Sequence, residues 1–109
     1  MSDLASKHCS PQRGPALSRA DAEKLLSRLT GWTIDAGAKE LRRTFKFKDY
    51  YASMAFVNAV AWVAHREDHH PDLAVGYSKV TVAYSTHSVL GLSENDFICA
   101  AKIDALGAA

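Results

Sequence analysis

The sequence predicts a two-layer α+β domain in which helices pack on one face of an antiparallel four-stranded sheet. Two observations predict this class. Segments with the apolar spacing of helices are interleaved with segments of alternating apolar and polar residues, in the order helix, two strands, long helix, two strands, helix. The second observation is size, because 109 residues, 48% hydrophobic and 23% charged, suit a single domain with one core.

Charge and composition exclude several classes of protein. The formal net charge of +1 is too small to gather nucleic acid or anionic lipid. No apolar run approaches the ~18–20 residues that span a bilayer, so we expect neither a nucleic-acid nor a membrane partner. Residues 1–17 lack both periodicity and the apolar core of a secretory signal. They predict a flexible N-terminal leader before a domain at residues 18–109, and a cytoplasmic protein.

The first helix is predicted over residues 19–29. Ser18 is a typical N-cap, and Asp21 follows three residues later as its capping-box partner. A stripe of leucines continues the helix until a threonine-glycine pair ends it. A short extended segment at residues 32–34 and a turn at residues 35–37 come next.

The following strand is predicted over residues 40–48. Leu41, Phe45 and Phe47 share one side of it, whereas the positions between them are mostly polar or basic. A period of two indicates a half-buried strand with one face on the core and the other in water.

The longest helix is predicted over residues 50–66, with Asp49 as its N-cap. It should end before His70, because Pro71 disfavours a helical conformation at the residue that precedes it. Its apolar residues form two stripes, which are Tyr50, Met54, Val57, Ala61 and Ala64 on one side, and Phe56, Val60 and Val63 on another. A helix that is apolar on two sides must be covered on both, so we expect a homo-oligomer.

Two more strands and a helix complete the chain. Apolar alternation predicts a strand at residues 73–75 and its hairpin partner at residues 80–85. Ser93 should cap the last helix with Asp96 as its capping-box partner, and Gly107 should end it. Within this helix Cys99 has the position of a buried free thiol, whereas Cys9 lies in the leader.

Four of the five histidines lie close together in the sequence, at positions 65, 69, 70 and 87. His69 and His70 follow the long helix, and His87 ends the second hairpin strand, so the three rings can meet at one rim of the domain. Imidazole, with a free pKa of about 6.5, both gives and accepts protons near neutral pH. Such a group suits a reaction that needs an acid and a base together, such as loss of water from a carbinolamine, without a cofactor or metal.

Other interpretations of these residues stay open. His65 and His69 have the i,i+4 spacing of a zinc site, although no cysteine pair or His-Glu-x-x-His arrangement supports a metal. A nucleophilic pair of Cys99 with a histidine is less favoured, because that cysteine lies on a core-facing helix. A histidine near a helix end also commonly serves as a cap or a solvated side chain.

The spacing of the histidines resembles the signature of the pterin-4a-carbinolamine dehydratases. The run His69-His70-Pro71 is followed at the expected intervals by Tyr77, His87 and Asp96, and His65 meets the requirement four residues before the pair. The resemblance covers about residues 18–105. It implies that the domain at residues 18–109 is a pterin carbinolamine dehydratase-like domain. Departures include His65, where many relatives have glutamate, and Leu73, where many have tryptophan.

The resemblance implies an enzyme that acts on 4a-hydroxytetrahydropterin, which aromatic amino-acid hydroxylases leave behind. Loss of water gives quinonoid dihydropterin, which a reductase recycles to tetrahydropterin. The resemblance also implies a homodimer or homotetramer. Carried over to this sequence, His69, His70 and His87 match the catalytic histidines, and the substrate-binding positions are Asp68, Ser85, Thr86, Ser88, His65 and Trp32.

Within the triplet we expect His70 and His87 to transfer protons and His69 mainly to bind and polarise the substrate. Two other functions stay open. Some animal relatives double as dimerisation cofactors of a homeodomain transcription factor, so one alternative is a non-catalytic dimerisation or interaction cofactor. The other is a related enzyme that acts on a pterin of molybdenum-cofactor metabolism. Retention of all three histidines favours chemistry, since a pure adaptor does not need them.

Overall fold

The structure, a computed structural model, describes residues 3–106 and confirms the predicted fold class and order of elements. In this part of the chain the helices are α1 (Arg19–Leu26), α2 (Tyr50–Glu67) and α3 (Glu94–Asp104). The strands are β1 (Thr33–Ile34), β2 (Leu41–Lys46), β3 (Asp72–Val75) and β4 (Lys79–Tyr84). Short 3₁₀ turns occupy Asp3–Ser6 and His87–Val89. Within residues 3–106, none of the helices has both the length and the apolar character needed to cross a membrane.

The sheet has the strand order β1-β2-β4-β3, and every neighbouring pair is antiparallel. In the central pair, Leu41 lies opposite Tyr84 and Phe45 opposite Val80. These side chains are buried, as the period of two predicted for β2 requires. On the outer face the hydroxyls of Thr44 and Thr81 form a hydrogen bond of 2.8 Å. One sheet face therefore carries the core, and the other is polar.

Helix α2 buries one stripe, which consists of Ser53, Phe56, Val60, Val63 and Glu67. The second predicted stripe is not covered within the chain, since its members are half-buried or exposed. Large aromatic side chains add to this outer face: Tyr51 is 83% exposed and Trp62 is 58% exposed. The second subunit expected from the two stripes therefore stays a prediction.

The capping residues lie where the sequence predicted. The Ser18 hydroxyl accepts from the Asp21 backbone N–H at 3.1 Å, and the Asp49 carboxylate accepts from Ala52 N–H at 2.8 Å. Helix α1 ends at Leu26, earlier than predicted, because the next residues tighten into i→i−3 hydrogen bonds. Helix α3 ends at Asp104, and the predicted stop at Gly107 lies outside the described residues.

The segment before α1 contacts the domain more closely than the predicted flexible leader would. Leu4 is fully buried in the core, and the Ala5 carbonyl accepts from the Lys102 ammonium at 2.9 Å. Farther along, the Leu17 N–H donates to Leu92 O at 2.8 Å. Leu4 was not recognised as a core residue because a single leucine among polar residues has no periodicity. The division of the chain at residue 17 stays a prediction.

Candidate active site

A cavity of about 350 Å³ opens where the end of α2, the end of β4 and residues 9–12 meet. This volume lies in the range of small-molecule sites. His69, His70 and His87 all line it, although they come from two separate parts of the chain. The structure therefore brings the three predicted catalytic rings to one hollow.

The end of α2 turns the His69-His70 pair toward this cavity. Asp68 adopts a left-handed conformation, with φ 52° and ψ 44°. Its N–H donates to the His65 carbonyl at 3.3 Å, and the His69 N–H donates to the Ala64 carbonyl at 3.1 Å. These two hydrogen bonds form a Schellman motif, which stops the helix and reverses the chain. Because of that reversal, His69 and His70 leave the helix at the rim instead of continuing along its surface.

A second tight turn carries His87. After β4 the backbones of Thr86 and Gly91 pair through hydrogen bonds of 2.7 and 3.3 Å. The residues between them form the 3₁₀ turn that His87 begins. Gly91 is required there, because a Cβ at this position would lie 2.8 Å from the Ala16 side chain.

A buried carboxylate connects the two turns. Asp96 is fully buried at the start of α3, and its Oδ1 accepts from His69 Nε2 at 2.6 Å. Its Oδ2 accepts from the Ser93 N–H at 3.0 Å and from the Thr86 hydroxyl at 2.8 Å. Because the Thr86 hydroxyl donates its one proton to Asp96, it can only accept from Ser93. The Ser93 hydroxyl therefore donates to Thr86 Oγ1 at 2.7 Å. The network fixes His69 and the strand end that precedes His87 relative to each other.

His69 is held on one further side. Its ring stacks on the buried ring of Tyr84, with centroids 5.3 Å apart and planes 17° apart. Burial of the imidazole opposes its charged form, but the hydrogen bond and negative charge of Asp96 outweigh burial and raise the pKa of His69 above its ordinary value. Asp96 therefore contacts the Nε2 edge of the ring, and Tyr84 covers one of its faces.

Four of the six predicted substrate-binding residues line the cavity: Asp68, Ser85, Thr86 and Ser88. The structure differs from the prediction for the other two. His65 lies on the exposed face of α2, because position 65 falls outside the buried stripe. Trp32 is buried in the core, where its Nε1–H donates to both Asp104 carboxylate oxygens at 3.0 Å and its ring packs edge-on against Phe45. Neither residue lines the cavity.

Sequence reasoning missed one wall of the cavity. Residues 9–12 line it, and Asn95 and Glu67 hold them in place. Asn95 Oδ1 accepts from the Ser10 N–H at 3.2 Å, and its Nδ2 donates to the Ser10 carbonyl at 2.8 Å. Glu67 Oε1 accepts from the Cys9 N–H at 2.7 Å. Burial of Glu67 opposes ionisation, but the Cys9 N–H and the neighbouring His8 lower the pKa of this carboxyl below its usual value.

Only one signal could have pointed to this wall. Glu67 continues the buried stripe of α2 four residues beyond Val63, so a carboxylate occurs where an apolar residue is expected. A buried carboxylate needs partners, and here the N-terminal segment supplies them. The sequence alone does not say which segment does so.

The two competing interpretations find little support in the geometry. Across residues 3–106, no three His, Cys, Asp or Glu side chains form a group that could hold a metal ion, so the i,i+4 pair of His65 and His69 has no third ligand there. Cys99 is fully buried and does not line the cavity. Its thiol lies 3.9 Å from the backbone carbonyl of His69.

Comparison with known proteins identifies the class to which this arrangement belongs. The family model described as pterin 4 alpha carbinolamine dehydratase matches residues 15–106. The chain belongs to this family, as its histidine spacing predicted.

The relatives extend over nearly the whole chain. A protein of Nitrosospira multiformis, provisionally named pterin-4-alpha-carbinolamine dehydratase, is 58% identical over 106 residues, which are 95% of this chain and 92% of the relative. A protein of the same provisional name from Stenotrophomonas maltophilia is also 58% identical, over 94% of this chain and 90% of the relative.

Solved structures share the fold. The crystal structure of a transcriptional coactivator/pterin dehydratase from Brucella melitensis has a TM-score of 0.79 and 34% sequence identity, covering 84% of this chain and 97% of that one. A pterin dehydratase-like protein, identified as a RuBisCO assembly factor in the alpha-carboxysome, has a TM-score of 0.61 and 25% identity, covering 70% of this chain and 88% of that one.

Proposed function

We propose that this protein removes water from a 4a-hydroxytetrahydropterin and releases quinonoid dihydropterin, by acid–base catalysis with histidines. The observation that carries the proposal is the convergence of His69, His70 and His87 on one cavity of about 350 Å³. Membership of the dehydratase family supports the same reaction class. The cavity holds several other polar side chains, which suit a heterocycle rich in hydrogen-bonding groups.

The reaction needs two proton movements. The C4a–O bond breaks as its hydroxyl takes a proton from an imidazolium and leaves as water. The N5 electron pair forms the C4a=N5 double bond, and a neutral imidazole takes the N5 proton. Each well-placed acid or base contributes typically ~10²–10⁴-fold to the rate.

The three rings have different roles in this proposal. His70 and His87 are exposed residues that line the cavity, so we assign the proton transfers to them. His69 is held by Asp96 and Tyr84, and it binds and polarises the substrate. The Asp68 carboxylate and the Ser85 and Ser88 hydroxyls, which line the cavity, bind the pterin ring in this proposal, and Thr86 acts mainly by fixing Asp96.

The cellular setting forms part of the proposal. The substrate is the product of an aromatic amino-acid hydroxylase, so we place the protein in the cytoplasm, where it recycles tetrahydropterin together with that enzyme. The exposed outer face of α2 is the surface on which we place the contact of a homodimer or homotetramer. Sedimentation of the parent and of Trp62→Glu tests this contact, and the variant should sediment as a smaller species.

The decisive experiment follows the decay of the 4a-hydroxy intermediate in an aromatic hydroxylase reaction, with and without the purified protein. We expect acceleration by the parent and its loss in His87→Ala. His8→Gln is the matched control, because it removes an imidazole that does not line the cavity. A folded parent that gives no acceleration would overturn the proposal in favour of a non-catalytic partner or another pterin substrate.

A further inference from the structure

Two free cysteines that are 90 positions apart in sequence meet beside the candidate active cavity. The thiol sulfurs of Cys9 and Cys99 lie 3.5 Å apart. Cys9 belongs to the segment that forms one cavity wall, and Cys99 belongs to α3. The proposed dehydration uses neither thiol.

The surroundings of Cys9 favour a covalent contact. Its backbone is fixed by Glu67, and its sulfur also lies 3.6 Å from the Asn95 carbonyl. Residue 9 is outside any helix or strand, and closure shortens the sulfur–sulfur distance from 3.5 Å to the ~2.05 Å of a disulfide. Cys99 is fixed on a helix and fully buried.

We propose that Cys9 and Cys99 form a reversible disulfide that fastens the N-terminal segment to α3 and fixes that wall of the cavity. The oxidant is a small-molecule disulfide, which reaches Cys9 through the cavity that this residue lines.

The exchange balances in two steps. The Cys9 sulfur attacks one sulfur of the small disulfide, which forms a mixed disulfide and releases one small thiol that carries away the Cys9 proton. The Cys99 sulfur then attacks the Cys9 sulfur, forms the internal disulfide and releases the second small thiol with the Cys99 proton. Two protein thiols are oxidised, and one small disulfide is reduced to two thiols.

The electrostatics make Cys99 the better nucleophile of the pair. The hydrogen bond to Cys99, together with burial, raises the pKa of the Cys9 thiol, so the first step should be slow and the second fast. The hydrogen bond from the Cys9 thiol lowers the pKa of Cys99 against the opposing effect of burial, and the nearby His69 adds to the lowering. The small disulfide cannot reach this buried sulfur directly, whereas the Cys9 sulfur lies beside it. Closure should therefore follow the first step without accumulation of the mixed disulfide.

The test incubates the folded parent with oxidised glutathione, alkylates the remaining thiols and measures intact and peptide masses. We expect loss of two hydrogen atoms, one cross-linked pair of peptides containing Cys9 and Cys99, and return to the starting mass with dithiothreitol. Closing so long a loop should also raise the Tm by about 10–20 °C and slow amide exchange at residues 9–12.

Two matched variants separate the steps. Cys99→Ala should retain one glutathionyl group on Cys9, since nothing can displace it. Cys9→Ser, at the half-buried position, should leave Cys99 unmodified. Three results would overturn the proposal: a stable glutathionyl adduct on the folded parent, a link only between two chains, or an internal disulfide that leaves Tm and amide exchange unchanged.

Discussion

The two sides of the histidine cluster differ in how the fold holds them. On the α2 side, the His69 side chain is only 12% exposed, lies 2.6 Å from the buried Asp96 and stacks on Tyr84. His87, on the β4 side, is exposed at the start of a short turn. His70 follows α2 but is exposed like His87, so the contrast is between the locked ring of His69 and the two exposed rings; the His70 Nδ1 donates to the Pro71 carbonyl at 3.4 Å.

This difference separates stability from chemistry within one cavity. A ring that is locked by a carboxylate and a stacked tyrosine contributes to the folded state whether or not substrate is present. An exposed ring contributes little to folding, but it can exchange protons with substrate and water. Substitutions on the two sides should therefore change different observables, and each of the following predictions tests that separation.

The largest expected effect is on turnover. Alanine at His87 should lower kcat at saturating pterin by ~10²–10⁴-fold, because it removes one proton-transfer group. The Tm should stay within about 2 °C of the parent, since an exposed side chain contributes little to stability. Rapid-mixing kinetics and thermal unfolding measure the two quantities on one sample. Near-parental kcat in a folded variant would contradict the assignment of His87, and a large loss of Tm would contradict the separation.

The next effect is on stability. Asp96→Ala should lower the free energy of unfolding by roughly 3–5 kcal/mol, because it leaves His69, Thr86 and the Ser93 N–H without their buried acceptor. Urea unfolding measures this loss. Asp96→Asn is the matched control, since it keeps the shape and removes the charge, and it should lose less. Equal stability of parent and Asp96→Ala would show that His69 is not held as the structure indicates.

A smaller effect appears as pH dependence. The pKa of His69 is raised in the folded state, so its contribution to stability is fully present below the unfolded pKa of about 6.5 and is lost as pH rises through the folded pKa. The gap in unfolding free energy between the parent and His69→Gln should therefore be wider at low pH than at high pH. Urea unfolding at intervals from pH 5.5 to 8.5 measures it. A gap that widens with rising pH would contradict the assigned hydrogen bond.

The sequence predicted the fold and the convergence of the three histidines, but not the contacts that lock His69. Periodicity identifies β2 and α2, because β2 buries alternate residues in the core and α2 buries one helical stripe there. Family spacing identifies the histidines, but not that Asp96 reaches His69 at 2.6 Å, since the predicted capping role already accounted for that carboxylate. Trp32 was misplaced because its contact with Asp104 joins positions 72 residues apart, which no local pattern reveals. The wall at residues 9–12 was missed for the same reason.

The smallest expected effect concerns the backbone on each side. Asp68, before His69, and Leu90, after His87, both have positive φ, at 52° and 56°. Aspartate tolerates this conformation through its short polar side chain, whereas leucine is strained by its Cβ. Leu90 is 81% exposed, so its replacement loses little burial. Leu90→Gly should therefore raise the free energy of unfolding by about 0.5–1 kcal/mol, and Asp68→Gly by less than about 0.5 kcal/mol. Urea unfolding of both variants in parallel measures the difference, and a larger gain from Asp68→Gly would place the greater strain on the His69 side.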